Sequence, residues 1–312
     1  MTTALQRNKK KKNSWRVKLF IICTVSLQLA HWIVFTVLMS IDGILLTFKN
    51  VDVQTNREIW VGWKNYANLF RTVALDFGRR EGWFIAIRNS LVYWPLNLFV
   101  MLPLVILMAY LMYQKVPGTK FFIVLFFIPT LLPAVALVQV VKEMLAPDYG
   151  PLNNLLMKII GGSEPIAWFN TKHVSNVVLW IFSLWAGSGY YVVLLFGAFA
   201  RVPREIVEAA RLDGIGFFRE LWSIYIPIIW SSITTVVLTG VVTVPFGIYM
   251  HQLLFTNGQA QTETIALRNF WMLSAGDYYA SGTYSVVLSF FSSPIALLAK
   301  WGMGKIHEPV EV

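Results

Sequence analysis

Six apolar segments, each long enough to cross a lipid bilayer, constrain the fold of this chain more than any other feature. A membrane-spanning helix needs roughly 20 predominantly apolar residues. Segments of this kind lie at about 17–40, 84–113, 120–141, 174–200, 221–245 and 282–303. The sequence therefore predicts an all-α membrane protein with six transmembrane helices.

The composition agrees with a membrane protein. Of the 312 residues, 56% are hydrophobic and only 13% are charged, which is too apolar for an ordinary soluble domain. The 13 tryptophans suit a bilayer interface, where such side chains are enriched. The single cysteine, Cys23, excludes an intrachain disulfide and a cysteine-based metal site. The net charge of +10 does not indicate a nucleic-acid partner, because spanning segments separate the charges.

The distribution of basic residues predicts the orientation. The tail 1–16 carries Arg7, four consecutive lysines at 9–12 and Arg16 with no acidic residue, so it is expected in the cytoplasm. It precedes an apolar run that is too long for a cleaved signal peptide, which predicts a retained first helix. The lysine run is interpreted as a topology signal; binding of specific lipids or of nucleic acid is the alternative.

An even number of spans returns the C-terminus to the cytoplasm and divides the chain into regions. The predicted regions are a basic tail 1–16, the first helix 17–40, an extracytoplasmic loop 41–83, a transmembrane core 84–305 with helices two to six, and a cytoplasmic tail 306–312. The loops 142–173 and 246–281 are also expected outside, because they are longer and less basic per residue.

The predicted helices two to six have no Asp, Glu, Lys or Arg at their centres, and only His31 is a histidine within a span. Ion-driven carriers usually need an ionisable group at depth. The chain also lacks a phosphate-binding GxxxxGK[ST] motif. The energy for any transport is therefore expected to come from another chain.

A short charged segment, "VPREIVEAARLDGIG" at 202–216, separates two apolar runs. Pro203 suits the first position of a helix and Gly214 suits its end, so the segment predicts a helix over 203–214. About 11 residues rise only roughly 16 Å, too short to span. The helix is expected on the cytoplasmic face, either as an amphipathic connector or, because Ala209 and Ala210 are small, as a docking site for another protein.

This segment resembles the EAA signature of ABC importer permeases. The matching residues are Glu208-Ala209-Ala210, Gly214 and the stretch 224–227, "IYIP", in which Ile226 replaces the usual leucine. The resemblance implies a type I (MetI-like) importer permease fold, in which this coupling helix docks into a cleft of a cytoplasmic ATPase. It also implies a transport subunit without catalytic or metal-binding residues, because a separate ATPase uses ATP and Mg. The implied coupling residues are Pro203, Glu205, Glu208, Ala209, Ala210, Asp213 and Gly214.

Other stretches resemble permeases for oligosaccharides of the maltose and multiple-sugar type. They are "VGWKNYANLF" at 61–70, "IRNSLVY" at 87–93 and "LLFTNGQAQTET" at 253–264. Departures are "SIDG" after the first helix, a charged loop 71–83 and "TNGQA" without its second glycine and proline. The resemblance implies a bacterial cytoplasmic membrane, a second homologous permease, two ATPase subunits and an extracytoplasmic sugar-binding protein over the loops 142–173 and 246–281.

The resemblance also suggests a substrate pathway. "WAGSGYY" at 185–191 is similar to a "WxGxxYY" stretch that supplies pocket residues in maltose-type permeases. Tyrosines offer an apolar face and a polar tip to a sugar, whereas glycines admit a ligand close to the backbone. The predicted pathway residues are Ser183, Trp185, Gly187, Tyr190, Tyr191, Phe246, Tyr249, Gln139 and Asn97. Plain packing of the aromatics, and interhelical hydrogen bonds of the two amides, are the alternatives.

Three functions remain open from the sequence. The favoured one is the permease subunit of an ATP-driven importer of carbohydrate, specifically of an oligosaccharide. The second is a permease of the same family for another solute, such as glycerol phosphate, although no cluster of Lys or Arg lies within helices two to six. The third is an ion-coupled secondary carrier. Prolines within the apolar runs, at 95, 103, 129, 133, 227 and 294, serve either as hinges or as static bends.

Overall fold

The structure, a computed structural model, describes residues 2–52, 54–161 and 165–307, with the side chains of residues 2–14 and 160 left out of the description. The side chains of the predicted basic tail up to residue 14, and residues 308–312 of the predicted C-terminal tail, therefore lie outside the described part. The chain divides into two compact units, Met1–Leu69 with Asp277–Val286, and Phe70–Gly276 with Val287–Val312.

The described part is mostly helical. Its α-helices and strands, in chain order, are α1 Thr2–Trp32, α2 Met39–Leu46, β1 Lys49–Asp52, β2 Arg57–Trp60, α3 Lys64–Arg79, α4 Trp83–Leu96, α5 Leu102–Tyr113, α6 Thr119–Leu131, α7 Ala134–Met144, α8 Pro151–Ile160, α9 Lys172–Phe199, α10 Arg204–Leu212, α11 Phe217–Glu220, α12 Ile226–Ile228, α13 Trp230–Val236, α14 Val244–Gly247, α15 Met250–Thr256, α16 Ile265–Ser274 and α17 Tyr278–Ile306. Four π-helical segments join consecutive helices, at Ile33–Leu38, Asn97–Met101, Leu221–Tyr225 and Val237–Val242.

Five helical stretches of the described part are long and apolar enough to cross a membrane. They are Trp15–Leu46, Trp83–Tyr113, Lys172–Phe199, Trp230–Gly247 and Tyr278–Ile306. A sixth candidate consists of α6 and α7 taken together. These six stretches fall on the six predicted apolar segments, and the chain is a multi-pass membrane protein.

The third apolar segment, predicted as one span with kinks or hinges at its prolines, is broken into two helices. Its two halves, α6 and α7, are bent by 116° at a short break. Leu132 and Pro133 both adopt extended backbone angles there, with ψ of 142° and 134°. Proline disfavours the helical conformation of the residue before it and has no N–H to donate, so a proline at this point ends the helix. Pro95, Pro129 and Pro294, by contrast, lie inside continuous helices.

The first unit contains a small antiparallel hairpin that the sequence did not predict. Strands β1 and β2 pair with Lys49 opposite Trp60. The Asn65 amide donates hydrogen bonds of 2.8 Å to the carbonyls of Thr47 and Lys49, which secures the start of the hairpin to α3. Phe48 lies among the rings of Trp60, Trp63 and Tyr66. Each strand has only four residues, too few to show a clear alternation in sequence.

The core of the second unit is built around α9. Val105 and Tyr110 of α5 and Val192, Leu195 and Phe199 of α9 are completely buried in one hydrophobic cluster. Aromatic rings cross this cluster, since Phe199 contacts both Tyr110 and Tyr225 at 5.7 and 5.4 Å between centroids. Without water in the bilayer core, helix association depends on such close packing.

A close approach of α9 to α6 occurs at Gly189. A Cβ atom there would press on the carbonyl oxygen of Phe126 and lie 2.8 Å from Thr130 Cγ2. Small residues at helix interfaces let backbones approach in this way. The neighbouring Gly187, two positions away on the same helix, has no atom within 4 Å of such a Cβ.

We therefore expect Gly189→Ala to destabilise the protein, because the backbones of α6 and α9 must separate. Overpacking of this kind costs about 1–3 kcal/mol, which should lower the unfolding midpoint in detergent and the yield of folded protein. Gly187→Ala is the matched control and should lower neither the unfolding midpoint nor the yield of folded protein. Equal thermal midpoints for the two variants would contradict the close approach.

Candidate functional site

Two features of the second unit coincide with the residues selected from the sequence: the short helix α10 and a cavity among the spanning helices. Helix α10 begins at Arg204, directly after Pro203, and ends at Leu212. Glu205 lies in its first turn and Arg211 in its last, so both charges interact favourably with the helix dipole. The nine-residue helix is too short to span a bilayer.

Gly214 ends α10 through a Schellman motif. The N–H of Gly214 donates to the carbonyl of Arg211 at 3.0 Å, and the N–H of Ile215 donates to that of Ala210 at 3.2 Å. Gly214 has φ of +78°, a left-handed conformation that glycine adopts without strain. The structure thus places at Gly214 the helix end that was predicted from its sequence position.

Helix α10 has a buried side and an exposed side. Val207 is buried in the core, and Ala210 is half-buried. Four of the implied coupling residues lie on the exposed side, namely Glu205, Glu208, Ala209 and Asp213. Leu212 is 89% exposed, which is unusual for a leucine at a helix end. Neither Val207, the buried anchor of α10, nor Leu212, its exposed apolar end, was among the residues selected from the sequence.

A cavity of about 530 Å³ lies among the spanning helices. It is lined by Tyr93, Asn97, Met101, Ser183, Ala186, Gly187, Tyr190, Tyr191, Gly240, Thr243, Val244, Gly247, Ile248 and His251. None of these 14 residues is Asp, Glu, Lys or Arg. The volume is typical of sites for small organic ligands, which are mostly apolar with a few placed polar groups.

Two π-helical segments contribute to the wall of this cavity. Asn97 and Met101 lie in one of them, and Gly240 lies in another. A π-turn adds a residue to the helical turn and often occurs at functional sites. At Gly240, a Cβ atom would lie 2.8 Å from both Met101 and Tyr191. Glycine is therefore required there for Tyr191 to keep its place in the wall.

The polar groups of the cavity gather around Ser183 and Asn97. The Ser183 hydroxyl is 2.8 Å from His251 Nδ1. The Gln252 amide donates to the Tyr93 hydroxyl, also at 2.8 Å. Asn97 is only 6% exposed, and its amide nitrogen has no hydrogen-bond partner among the described residues. An unpaired buried donor is costly, and Asn97 is a lining residue that leaves such a donor unused.

The tyrosine pair supplies the aromatic part of the site. Tyr190 is 62% exposed, and its ring meets that of Tyr191 edge to face at 5.3 Å. Gly187, one turn earlier on α9, leaves open space beside the backbone. A sugar ring has an apolar face and a rim of hydroxyls, and tyrosine can contact both.

Five of the nine predicted pathway residues line the cavity: Asn97, Ser183, Gly187, Tyr190 and Tyr191. The other four lie elsewhere, in contacts with neighbouring residues. The Trp185 indole N–H donates to the carbonyl of Leu125, and the Gln139 amide donates to the Glu143 carboxylate. The ring of Phe246 contacts Trp94 edge to face, and Tyr249 stacks on Phe270.

Tyr93, Thr243 and His251 are lining residues that sequence reasoning missed. Tyr93 ends the stretch "IRNSLVY", which was noted only for its resemblance. His251 follows the fifth span and was assigned to an extracytoplasmic loop, although it reaches Ser183 of the fourth span. No local signal distinguishes such a residue, because the contact depends on how α15 folds back against α9.

No family model matches the chain. Among curated proteins it is similar to the polygalacturonan/rhamnogalacturonan transport system permease protein YteP of Bacillus subtilis, with 26% identity over 248 residues that cover 77% of this chain and 72% of the relative. It shares 31% identity over 150 residues with the alpha-glucoside transport system permease protein AglF of Rhizobium meliloti and 23% over 183 residues with the maltose/maltodextrin permease MalF of Escherichia coli K12. These two matches span only 44% and 34% of the relatives.

The fold is also similar to that of a solved transporter chain. In the crystal structure of a bacterial alginate ABC transporter in complex with an alginate pentasaccharide-bound periplasmic protein, one chain matches with a TM-score of 0.75 and 18% identity, covering 97% of this chain and 99% of that one. A second structure of a bacterial transporter for alginate matches with a TM-score of 0.74.

Fold and relatives agree on one class: the chain is similar in sequence to transport system permease proteins and in fold to a chain of an ABC transporter. More particularly, the curated relatives are named as permease proteins of transport systems for polygalacturonan/rhamnogalacturonan, alpha-glucoside and maltose/maltodextrin.

Proposed function

We propose that this chain is the transmembrane permease subunit of an ATP-driven, binding-protein-dependent importer of an oligosaccharide. The observation that carries the proposal is the uncharged cavity of about 530 Å³, with two adjacent tyrosines and an unpaired amide donor in its wall. A neutral wall of aromatic and amide groups suits hydroxyl-rich, uncharged rings. The curated relatives, whose names refer to polygalacturonan/rhamnogalacturonan, alpha-glucoside and maltose/maltodextrin, support a saccharide substrate, and the last two are uncharged sugars.

The proposed assembly contains this chain, a second homologous permease, two ATPase subunits that use ATP and Mg, and an extracytoplasmic sugar-binding protein. The solved alginate transporter, which includes a saccharide-bound periplasmic protein, supports the last of these. The membrane is proposed to be the bacterial cytoplasmic membrane, with both termini and α10 on the cytoplasmic side. The basic residues at 7–16, with no acid among them, support this orientation.

In the proposed mechanism, α10 is a rigid lever between the ATPase and the cavity. Its exposed side, with Glu205, Glu208 and Asp213, is directed away from the core, whereas Val207 fixes the opposite side. Closure of the ATPase dimer would carry α10 with it and rock the spanning helices from inward-open to outward-open. Such rigid-body motion around a fixed central site is the usual form of alternating access.

The cavity disfavours the two alternatives. A permease for glycerol phosphate would benefit from a cationic side chain near the anion, and an ion-coupled carrier from an ionisable group at depth. None of the 14 lining residues is Lys, Arg, Asp or Glu, and the one histidine among them, His251, lies 2.8 Å from the Ser183 hydroxyl.

The proposal is tested with the complete transporter in proteoliposomes, using a labelled saccharide chosen by a ligand screen of the binding protein. Uptake should require hydrolysable ATP. Asn97→Leu should raise the saccharide concentration for half-maximal uptake about 5-fold, since a lost hydrogen bond is worth about 1 kcal/mol. Gln139→Leu, outside the cavity, is the control and should behave as wild type. Uptake driven by an ion gradient without ATP, or unchanged affinity in Asn97→Leu, would contradict the proposal.

A further inference from the structure

The carboxylate of Glu220 is the centre of a polar cluster beside α10. Glu220 ends α11 and is only 3% exposed. Arg211 donates to both of its oxygens, with Nε 2.8 Å from Oε2 and Nη2 2.9 Å from Oε1. Gln114 Nε2 donates to Oε1 at 2.8 Å, and the Tyr110 hydroxyl donates to the same oxygen at 3.2 Å. A two-pronged pair of this kind fixes orientation as well as distance.

Arg211, Glu220 and Gln114 form a closed triangle, which we call the clasp. Besides its bonds to Glu220, Arg211 Nη2 donates to Gln114 Oε1 at 3.0 Å. Each of the three side chains is therefore held by the other two. Gln114 caps the end of α5, Arg211 lies in the last turn of α10, and Glu220 precedes the π-helical start of the fifth span. The clasp thus joins two spanning helices to the short helix.

The backbone between Arg211 and Glu220 is poorly suited to hold α10 by itself. Gly214 and Gly216 both lie in this stretch, and neither has an atom within 4 Å of the position of a Cβ. Two open glycines within three residues permit rotation of the chain about that point. A fixed angle between α10 and the fifth span therefore depends on side-chain contacts, and the clasp supplies contacts that bridge the glycines.

The ion pair of Arg211 and Glu220 persists over the physiological pH range. The Arg211 guanidinium holds the pKa of the Glu220 carboxyl below its usual range, in spite of the opposing effect of burial. A carboxyl with a lowered pKa in the folded state contributes stability above its unfolded pKa, and loses it only as the pH falls through the lowered value. Glu220 consequently stays ionised at neutral and mildly acidic pH.

We infer that Arg211, Glu220 and Gln114 are positioning residues that make α10 move as one body with the second and fifth spans. This inference rests on the proposed coupling role of α10 and adds the site at which the motion is transmitted. A docked α10 without the clasp would swivel about Gly214 and Gly216 while the spans stayed still. ATP would then be hydrolysed with less transport.

The experiment measures saccharide molecules imported per ATP hydrolysed by the complete transporter in proteoliposomes. Arg211→Gln should leave the ATPase subunits bound, yet lower this ratio about 5-fold or more, the lower limit of a typical coupling energy. Arg211→Lys keeps the charge but lacks the two-pronged geometry, so it should restore the ratio only in part. Arg201→Gln is the control, because Arg201 lies outside the clasp and donates a bond of 3.1 Å to the Ser232 hydroxyl.

Gln114→Ala provides a second test that leaves the Arg211–Glu220 pair intact, and it decides the question if Arg211→Gln fails to assemble. It should also lower the ratio, because α5 loses both Gln114 bonds of the clasp and keeps only the longer Tyr110 bond, of 3.2 Å, to Glu220. The inference would be overturned if Gln114→Ala gave the wild-type ratio of saccharide to ATP and Arg211→Gln either did the same or failed to assemble. Glu208→Lys distinguishes failure of this inference from failure of the proposed coupling role. If this variant binds the ATPase and takes up saccharide normally, the coupling role of α10 itself is wrong.

Discussion

Reversing the charge of Glu208 is expected to abolish transport. Glu208 lies on the exposed side of α10, so Glu208→Lys should leave the fold intact. In the proposed complex the same carboxylate is enclosed by the ATPase, where disrupting a paired charge costs about 2–5 kcal/mol, or roughly 30-fold or more in affinity. We expect the ATPase subunits to be lost on purification and uptake to fall to background, with normal membrane insertion.

Glu81→Lys reverses an exposed glutamate elsewhere in the same unit and serves as the control. It should retain the ATPase subunits. Normal complex formation and uptake in Glu208→Lys would exclude α10 as the docking helix.

Gly214→Val probes the geometry of the same helix rather than its charge. At φ of +78° a branched side chain costs about 1–2 kcal/mol and is expected to open the end of α10, displacing Asp213 and Leu212. Gly62→Val imposes similar strain at φ of +59°, also with no neighbouring atoms, in the first unit. Only the Gly214 variant should weaken ATPase binding.

Filling the cavity at Gly187 is the second change with a large expected effect. Gly187 lies in the wall of the cavity with no atom within 4 Å of a Cβ position. A leucine there starts without a clash at Cβ, and its side chain takes up space otherwise open to the substrate. Gly187→Leu should lower uptake about 10-fold or more, equivalent to about 1.4 kcal/mol in the transport barrier. The ATPase subunits should remain bound, and saccharide uptake and subunit content are measured on the same preparation.

Gly197→Leu is a closely matched control, because Gly197 lies on the same helix, is also unobstructed, and does not line the cavity. It should transport normally. Equal uptake by the two variants would show that the cavity is not on the substrate path.

Which cavity residues could be predicted depended on where they lie in the chain. Ser183, Gly187, Tyr190 and Tyr191 occupy one stretch of a regular helix, where spacing alone places them on neighbouring turns. Trp185 lies in the same stretch, yet its indole N–H donates to the Leu125 carbonyl. His251 reaches the cavity from a separate short helix. Whether a side chain lines a cavity or packs against a neighbour is settled by the adjacent helix, which local sequence does not specify.

By itself, the sequence determined the number and place of the apolar spans, the short helix between the fourth and fifth, and the end of that helix at Gly214. These features depend on local causes: the length of an apolar run, the rigid ring of proline and the freedom of glycine. Only the tertiary structure decided the 116° bend after Leu131, the anchoring of α10 through Val207, and the pairing of Arg211 with Glu220 and Gln114. Those arrangements join residues from different segments, so their energies arise only when the helices are packed together.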